Sequence, residues 1–297
     1  MRSRQTEKFG FELALLVVLA FLWGSSYLLI RVALDTIPPI TLIAVRVLIA
    51  ALFLLIVMSV RRERLPRDFR TWRLLFVQAV LNSIGAWTVL AWGQQYVESS
   101  LASVLNSTSP IFVFLITLFI TRHEPTGILR ISGACLGVVG VALIVGVDAL
   151  NGLGQQIAAQ LAILLGAVLY AGAAIFGRKF AHLPPIVTAT GTMIWASICL
   201  VPLSLIIDRP WMLRPSSSSL LATLILAFFC TGGAFLIYFR LVRTLGSMGV
   251  ASQSYLRAGV GVLLGWIVLD EQISTIIGVG LASTVLGVVA INFPRKK

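Results

Sequence analysis

Residues 100–144 read SLASVLNSTSPIFVFLITLFITRHEPTGILRISGACLGVVGVALI, and residues 247–291 read SMGVASQSYLRAGVGVLLGWIVLDEQISTIIGVGLASTVLGVVAI. Laid over one another without a gap, Ser100, Ser107, Glu124, Gly133, Gly140 and Ile144 fall on Ser247, Ser254, Glu271, Gly280, Gly287 and Ile291. The same shift carries Ala20, Leu22 and Arg31 onto Ala167, Leu169 and Arg178, and sets Pro38-Pro39 one residue out of phase with Pro184-Pro185. The chain is therefore expected to be a duplication, with residues 1–150 as the first copy and 151–297 as the second. Each copy holds five apolar stretches, and an odd number of crossings makes the second copy enter a membrane from the opposite side. Inverted halves of this kind bring a shared pseudo-two-fold axis to mid-membrane.

Composition requires the bilayer. Hydrophobic residues are 58% of 297 and charged residues only 11%, too few polar groups to cover a soluble surface. Apolar spans are predicted near 12–32, 39–60, 72–93, 99–121, 127–147, 157–179, 185–208, 218–239, 246–269 and 273–293. Spans of about 17 to 24 residues suit a hydrocarbon core of about 30 Å. The fold class is all-α integral membrane, ten transmembrane helices as two inverted five-helix repeats. Short connections leave no room for a soluble catalytic or nucleotide-binding domain.

The net charge of +12 is distributed as a topology signal. With the N-terminus inside, 18 Lys and Arg fall on the cytoplasmic side, including the run Arg61, Arg62, Arg64, Arg67, Arg70 and Arg73, against Arg31, Arg209 and Arg214 outside. This bias predicts a multi-pass inner-membrane protein with both termini cytoplasmic. The arginine run can meet anionic headgroups, which accounts for it without nucleic acid. Residues 1–22 look like a signal peptide, but Ala20 and Leu22 have partners in an internal span, so cleavage is not expected. Cys135, Cys199 and Cys230 lie far apart inside spans, which suggests neither disulfides nor a metal site.

These features resemble the drug/metabolite transporter superfamily in its ten-helix EamA branch. The resemblance rests on Trp23-Gly24-Ser25-Ser26, on Arg46, on the stretch from Ala102 through Pro110 to Glu124, and on its counterpart from Ala251 to Glu271. Within that branch the chain resembles the YddG-type amino-acid exporters. The resemblance implies that residues 1–150 and 151–297 are EamA repeats, and that the fifth and tenth helices lie outside the transport path, where dimer contacts can form. One position departs from the family's pattern: where a proline is common in the ninth helix, this chain has Arg257.

Arg257 sits near the centre of its span, where an arginine costs about 2.5–3.5 kcal/mol on insertion scales. All 11 acids are placed in loops or at span ends, so a watered cavity, backbone carbonyls or an anionic substrate group must compensate it. Arg46 lies about two turns inside the second span and is read as snorkelling outward, with a structural or gating role. Arg31 and Asp35, four apart, are expected to pair.

Ser99, Ser103, Asn106 or Ser107, and Pro110 share one face of the fourth span; Gln253, Arg257 and Gly261 are stacked four apart in the ninth. Asn106 and Gln253 are equivalent by the repeat, as are Pro110 and Arg257, so two related helices aim polar groups at the shared axis. Gln78 and Asn82 make a similar pair in the third span. Trp23, Tyr27, Trp87, Tyr170, Tyr238 and Tyr255 supply rings that can stack on an apolar ligand or cradle a cation. These twelve positions, Trp23, Tyr27, Gln78, Asn82, Trp87, Ser103, Asn106, Tyr170, Tyr238, Gln253, Tyr255 and Arg257, are the candidate substrate-binding residues; interhelical hydrogen bonding and interface anchoring are the plain alternatives. Pro110 is the candidate hinge. Gly133, Gly137, Gly140, Gly278, Gly280 and Gly287 are read as close-packing positions.

No phosphate-binding loop, nucleophile set or metal cluster is visible, so no enzyme, no metal and no cofactor is expected. The partners expected are a small-molecule substrate and the lipid bilayer, not nucleic acid, with the chain a monomer or homodimer. Without an acid or histidine at membrane depth, flux driven by the substrate gradient is the simplest mechanism. The function this predicts is export of small amphipathic metabolites, foremost aromatic or apolar amino acids. A multidrug or other metabolite exporter, and a non-transporting sensor or subunit, stay open.

Overall fold

The computed structural model describes residues 2–121, 129, 131–133, 135–140, 143, 154–244, 253–271 and 275–292. Its membrane helices are α1 (Arg2–Ala33), α2 (Pro39–Val60), α3 (Phe69–Gly93), α4 (Ser99–Phe119), α5 (Ile131–Gly140), α6 (Gly154–Gly177), α7 (Pro185–Ile207), α8 (217–244), α9 (Gln253–Leu269) and α10 (Thr275–Asn292). Seven of them are long and apolar enough to cross a membrane; α5 and the apolar parts of α9 and α10 are shorter among the described residues. The ten-helix order expected from hydropathy is what is found. The predicted span ends at 127–128, 144–147, 246–252, 273–274 and 293 lie outside the described residues.

Equivalent helices begin by the same devices. Prolines open α2 and α7, where the missing amide is one of the orphan donors of a helix start. Asp68 caps α3 by accepting from the Thr71 amide at 2.7 Å, and Ser216 caps α8 by accepting from the Ser219 amide at 3.2 Å. The Thr71 hydroxyl and then its amide hold the Asp68 carboxyl below its ordinary pKa.

Packing between the halves follows the pseudo-two-fold. α1 lies against α8 and α9, and the equivalent α6 lies against α3 and α4; α3 meets α7 as α8 meets α2. The axis itself passes between α2 and α7 and between α4 and α9, each helix facing its own counterpart. Small and branched residues make the α2–α7 seam: Val47, Ala50 and Leu54 on one side, Ala189, Met193, Ala196 and Leu200 on the other, all buried. The outer surface is apolar, with Phe21, Leu52, Ile56, Ile206, Phe229 and Ile267 exposed, as a lipid-facing wall requires. Beside this bundle α5 packs on α10 through glycine: a Cβ at Gly140 would stand 2.6 Å from the Gly280 carbonyl, and one at Gly287 would stand 2.6 Å from the Gly137 amide nitrogen. Gly278, expected to do the same, faces open space.

Three helices depart from simple geometry. α3 carries a π-helical segment at Val80–Ala86 and α8 carries one at Phe228–Gly233, positions that the repeat superposes. Such segments widen the helix and free carbonyls, and they occur often at functional sites. α4, expected as one span over 99–121, is in two helical pieces, Ser99–Asn106 and Ser109–Ile116, joined by a turn at Ser107 and Thr108. Pro110 explains the break, because its nitrogen cannot donate to the Asn106 carbonyl four residues back.

The connections holding Asp35, Glu98, Asp208 and Glu271 gather at one end of the bundle, the acidic end. There the halves are tied together. Glu271 accepts from the amides of Ser99 and Ser100 at 2.7 and 2.9 Å, and Asp208 accepts from the amide and hydroxyl of Thr41 at 2.9 and 2.7 Å. The left-handed Asp270 (φ 53°) turns the chain back after α9 and brings Glu271 onto the start of α4. Arg31 does not pair with Asp35; its Nη1 donates to the Gln94 and Gln95 carbonyls at 3.1 and 3.3 Å. At the opposite, arginine-rich end, Glu12 bonds Arg240 at 2.9 Å and Thr244 at 3.0 Å.

Candidate functional site at the centre of the bundle

Where α1, α4 and α9 meet, four of the predicted site residues form one connected group. The Asn106 amide donates to the Tyr27 hydroxyl at 2.6 Å. Arg257 Nη2 reaches the Asn106 carbonyl at 3.5 Å, and the Ser103 hydroxyl reaches the Arg257 carbonyl at 3.4 Å. The Pro110 break thus releases a carbonyl, and the arginine at the equivalent position of the other half takes it. Glycine permits the close approach: a Cβ on Gly261 would collide with Ser103 Oγ, and one on Gly24 would stand 2.6 Å from the Val260 Cβ. Arg257 is only 8% exposed, its Nε is buried without a hydrogen-bond partner, and the Asn106 Oδ1 is likewise unpartnered. A contact as long as 3.5 Å is weak, so it offsets little of the cost of burying a guanidinium.

Arg46 belongs to the same interior. It does not snorkel: the residue is 4% exposed, its Cζ lies 4.1 Å from the centroid of the Trp87 ring, and Nε donates to the Thr231 hydroxyl at 2.7 Å. Trp87 directly follows the π-segment of α3, and Thr231 lies within that of α8, where its hydroxyl donates to the Leu226 carbonyl at 2.8 Å. The two irregular segments hold one arginine between them. Tyr170 of α6, partly buried, packs against the same apolar core that contains Tyr27 and Trp87.

Rings extend the site as a wall. Trp23 and Tyr238 lie 5.2 Å apart between centroids, Trp23 and Phe235 6.2 Å, and Phe235 and Trp87 6.1 Å, so the rings run from α1 through α8 to the tryptophan under Arg46. Sequence spacing does not single out Phe235, Thr231 or Glu271 for the site, and it directs Arg46 outward instead of into the interior. Gln78 and Asn82 stand apart from the group: Gln78 donates to the Ala173 carbonyl of α6 at 3.2 Å, and Asn82 to the Ser83 hydroxyl at 3.3 Å. Gln253 is buried at the start of α9, and the Tyr255 side chain lies outside the described residues.

A bundle of inverted halves with polar and cationic groups converging at mid-depth is the build of a membrane transporter. The chain belongs to the EamA-like transporter family, whose model matches residues 10–146 and 157–293. Among its relatives, the uncharacterized transporter YoaV of Bacillus subtilis is 23% identical over 285 residues, 95% of this chain and 97% of the relative. The uncharacterized inner membrane transporter YedA of Escherichia coli K12 is 28% identical over 304 residues, 100% of this chain and 96% of the relative. A solved crystal structure, 19% identical, aligns with a TM-score of 0.66 over 95% of this chain and 96% of its own, which shows the common fold. The protein is a multi-pass membrane transporter of the drug/metabolite class.

Proposed function

We propose that this protein is a secondary transporter that exports small amphipathic metabolites carrying a carboxylate, with aromatic or apolar amino acids as the first compounds to test. The observation that carries the reading is Arg257, buried at the meeting of the two halves with its Nε unpartnered beside the unpartnered Asn106 Oδ1. A carboxylate supplies the missing acceptor for the first, and a donor on the substrate serves the second. The ring wall of Trp23, Tyr238, Phe235 and Trp87 receives the apolar body.

Transport proceeds by alternating access, one half rocking against the other about α2–α7 and α4–α9, with Pro110 as the hinge in α4. The arginine bias supports an acidic end that faces outward with both termini in the cytoplasm, and the likeness to the inner membrane transporter YedA supports the inner membrane. The Glu271 and Asp208 ties then close the outer side. The test is Arg257→Ala in liposomes containing purified protein, preloaded with unlabelled amino acid and challenged with the labelled form. Loss of exchange with insertion intact supports the role; unchanged exchange removes Arg257 from the substrate site.

A further inference from the structure

The charge of the cargo follows from how the two buried guanidinium groups are compensated. Arg46 uses Nε for Thr231 and its flat face for Trp87, and its two Nη groups have no hydrogen-bond partner among the described residues. That pair is the end of the fork that matches a carboxylate edge-on. Among the described residues Arg257 keeps Nε unpartnered and holds only the long contact from Nη2.

The carboxylates that could offset them are engaged elsewhere. Glu12 is held by Arg240 and Thr244, Asp208 by Thr41, and Glu271 by Ser99 and Ser100. Among the described residues no acid forms an ion pair with Arg46 or Arg257. Among the described residues the site therefore presents two positive charges, hydroxyls, an amide and ring faces, with no anionic group for an ammonium. A zwitterion brings one charge that is wanted and one that the field of both arginines opposes; an organic anion brings only the first.

We infer that this centre selects organic anions, a carboxylate on an aromatic or apolar body with no ammonium beside it, the carboxylate facing the free edge of Arg46 and the Nε side of Arg257. This narrows the transporter reading and rests on it for its physiological sense, but it is a statement about binding and can fail separately.

The test measures binding to purified full-length protein in detergent by titration calorimetry, with phenylpyruvate, phenylalanine and phenethylamine as probes of one shape and three charges. The expected order is phenylpyruvate at least tenfold tighter than phenylalanine, with phenethylamine not bound. Arg46→Gln should weaken phenylpyruvate at least tenfold, and Arg46→Lys, which keeps the charge but not the planar fork, should recover only part. Equal or tighter binding of phenylalanine overturns the inference, as does phenylpyruvate binding unchanged in a folded Arg46→Gln protein, or no binding of phenylpyruvate to the wild type. If Arg46→Gln does not fold, the order of the three probes on the wild type decides. Exchange of phenylalanine by liposomes that ignore phenylpyruvate would sink the anion preference and leave the transporter standing; exchange of no compound at all by protein that binds phenylpyruvate would sink the transporter reading and leave the anion preference standing.

Discussion

Replacing Glu271 by glutamine should loosen the acidic end by a predictable amount. The carboxylate is 7% exposed and accepts two amide hydrogen bonds, at 2.7 and 2.9 Å, from the first turn of α4. Hydrogen bonds to a charged acceptor contribute about 1.5–3 kcal/mol each, and a negative charge at a helix N-terminus about 0.3–1 kcal/mol more. Glutamine keeps one acceptor oxygen and loses the charge, so roughly 2–4 kcal/mol of the tie disappears. Because Glu271 and α4 belong to different halves, that energy bears on the equilibrium between closed and open acidic ends, a shift of roughly 30- to 1000-fold toward open. The assay replaces Cys135, Cys199 and Cys230, introduces Ser103→Cys as a buried reporter beneath the tie, and follows labelling by a membrane-impermeant maleimide applied from the acidic side. Labelling at least tenfold faster in Glu271→Gln is expected. An unchanged rate in folded protein would refute the idea that this carboxylate holds the end closed.

Further outcomes follow from the same geometry. Pro110→Ala restores an amide able to bond the Asn106 carbonyl, so it should straighten α4, compete with Arg257 for that oxygen and lower exchange in the liposome assay. Gly261→Ala drives a methyl into Ser103 and should destabilise the protein by about 1–3 kcal/mol, read as a lowered Tm, while Gly259→Ala, which meets nothing within 4 Å, should not. The Asp68 carboxyl has a folded pKa below its unfolded value, so its contribution is present above the unfolded pKa and is lost as pH falls through the folded one. The protection factor of the Thr71 amide, its exchange referred to the intrinsic rate at each pH, should accordingly fall in acid, and Asp68→Ala should lower it at neutral pH as well.

What was legible in the sequence was whatever depends on periodicity. The ten spans and their inversion came from apolar runs and the shift that superposes Ser100 on Ser247. The Ser103, Asn106 and Arg257 group came from three-to-four spacing on helices related by the repeat. Sequence cannot place Arg46, because its distance from the helix end allows snorkelling and the two groups that hold it inside, Trp87 and Thr231, come from helices in different halves. The π-segments left no periodic mark, although Gly85 and Gly232 stand at equivalent positions within them. Glu271 was correctly put at a helix end, but its service to α4 depends on tertiary packing. The α4 break was half visible: Pro110 gave its place, while the release of a carbonyl to Arg257 needed the structure.

Above all, the two halves should move a solute past the central arginines. Purified wild-type protein in liposomes, preloaded with an unlabelled carboxylate and challenged with the labelled form while the pH gradient and membrane potential are both collapsed, measures this alone. Transient accumulation of label, driven only by the outward gradient of unlabelled compound, is the result predicted. Absence of accumulation across a panel of amino acids and their 2-oxo acid counterparts, from protein shown to be folded, would contradict it; accumulation only when a proton gradient is supplied would contradict the gradient-driven mechanism.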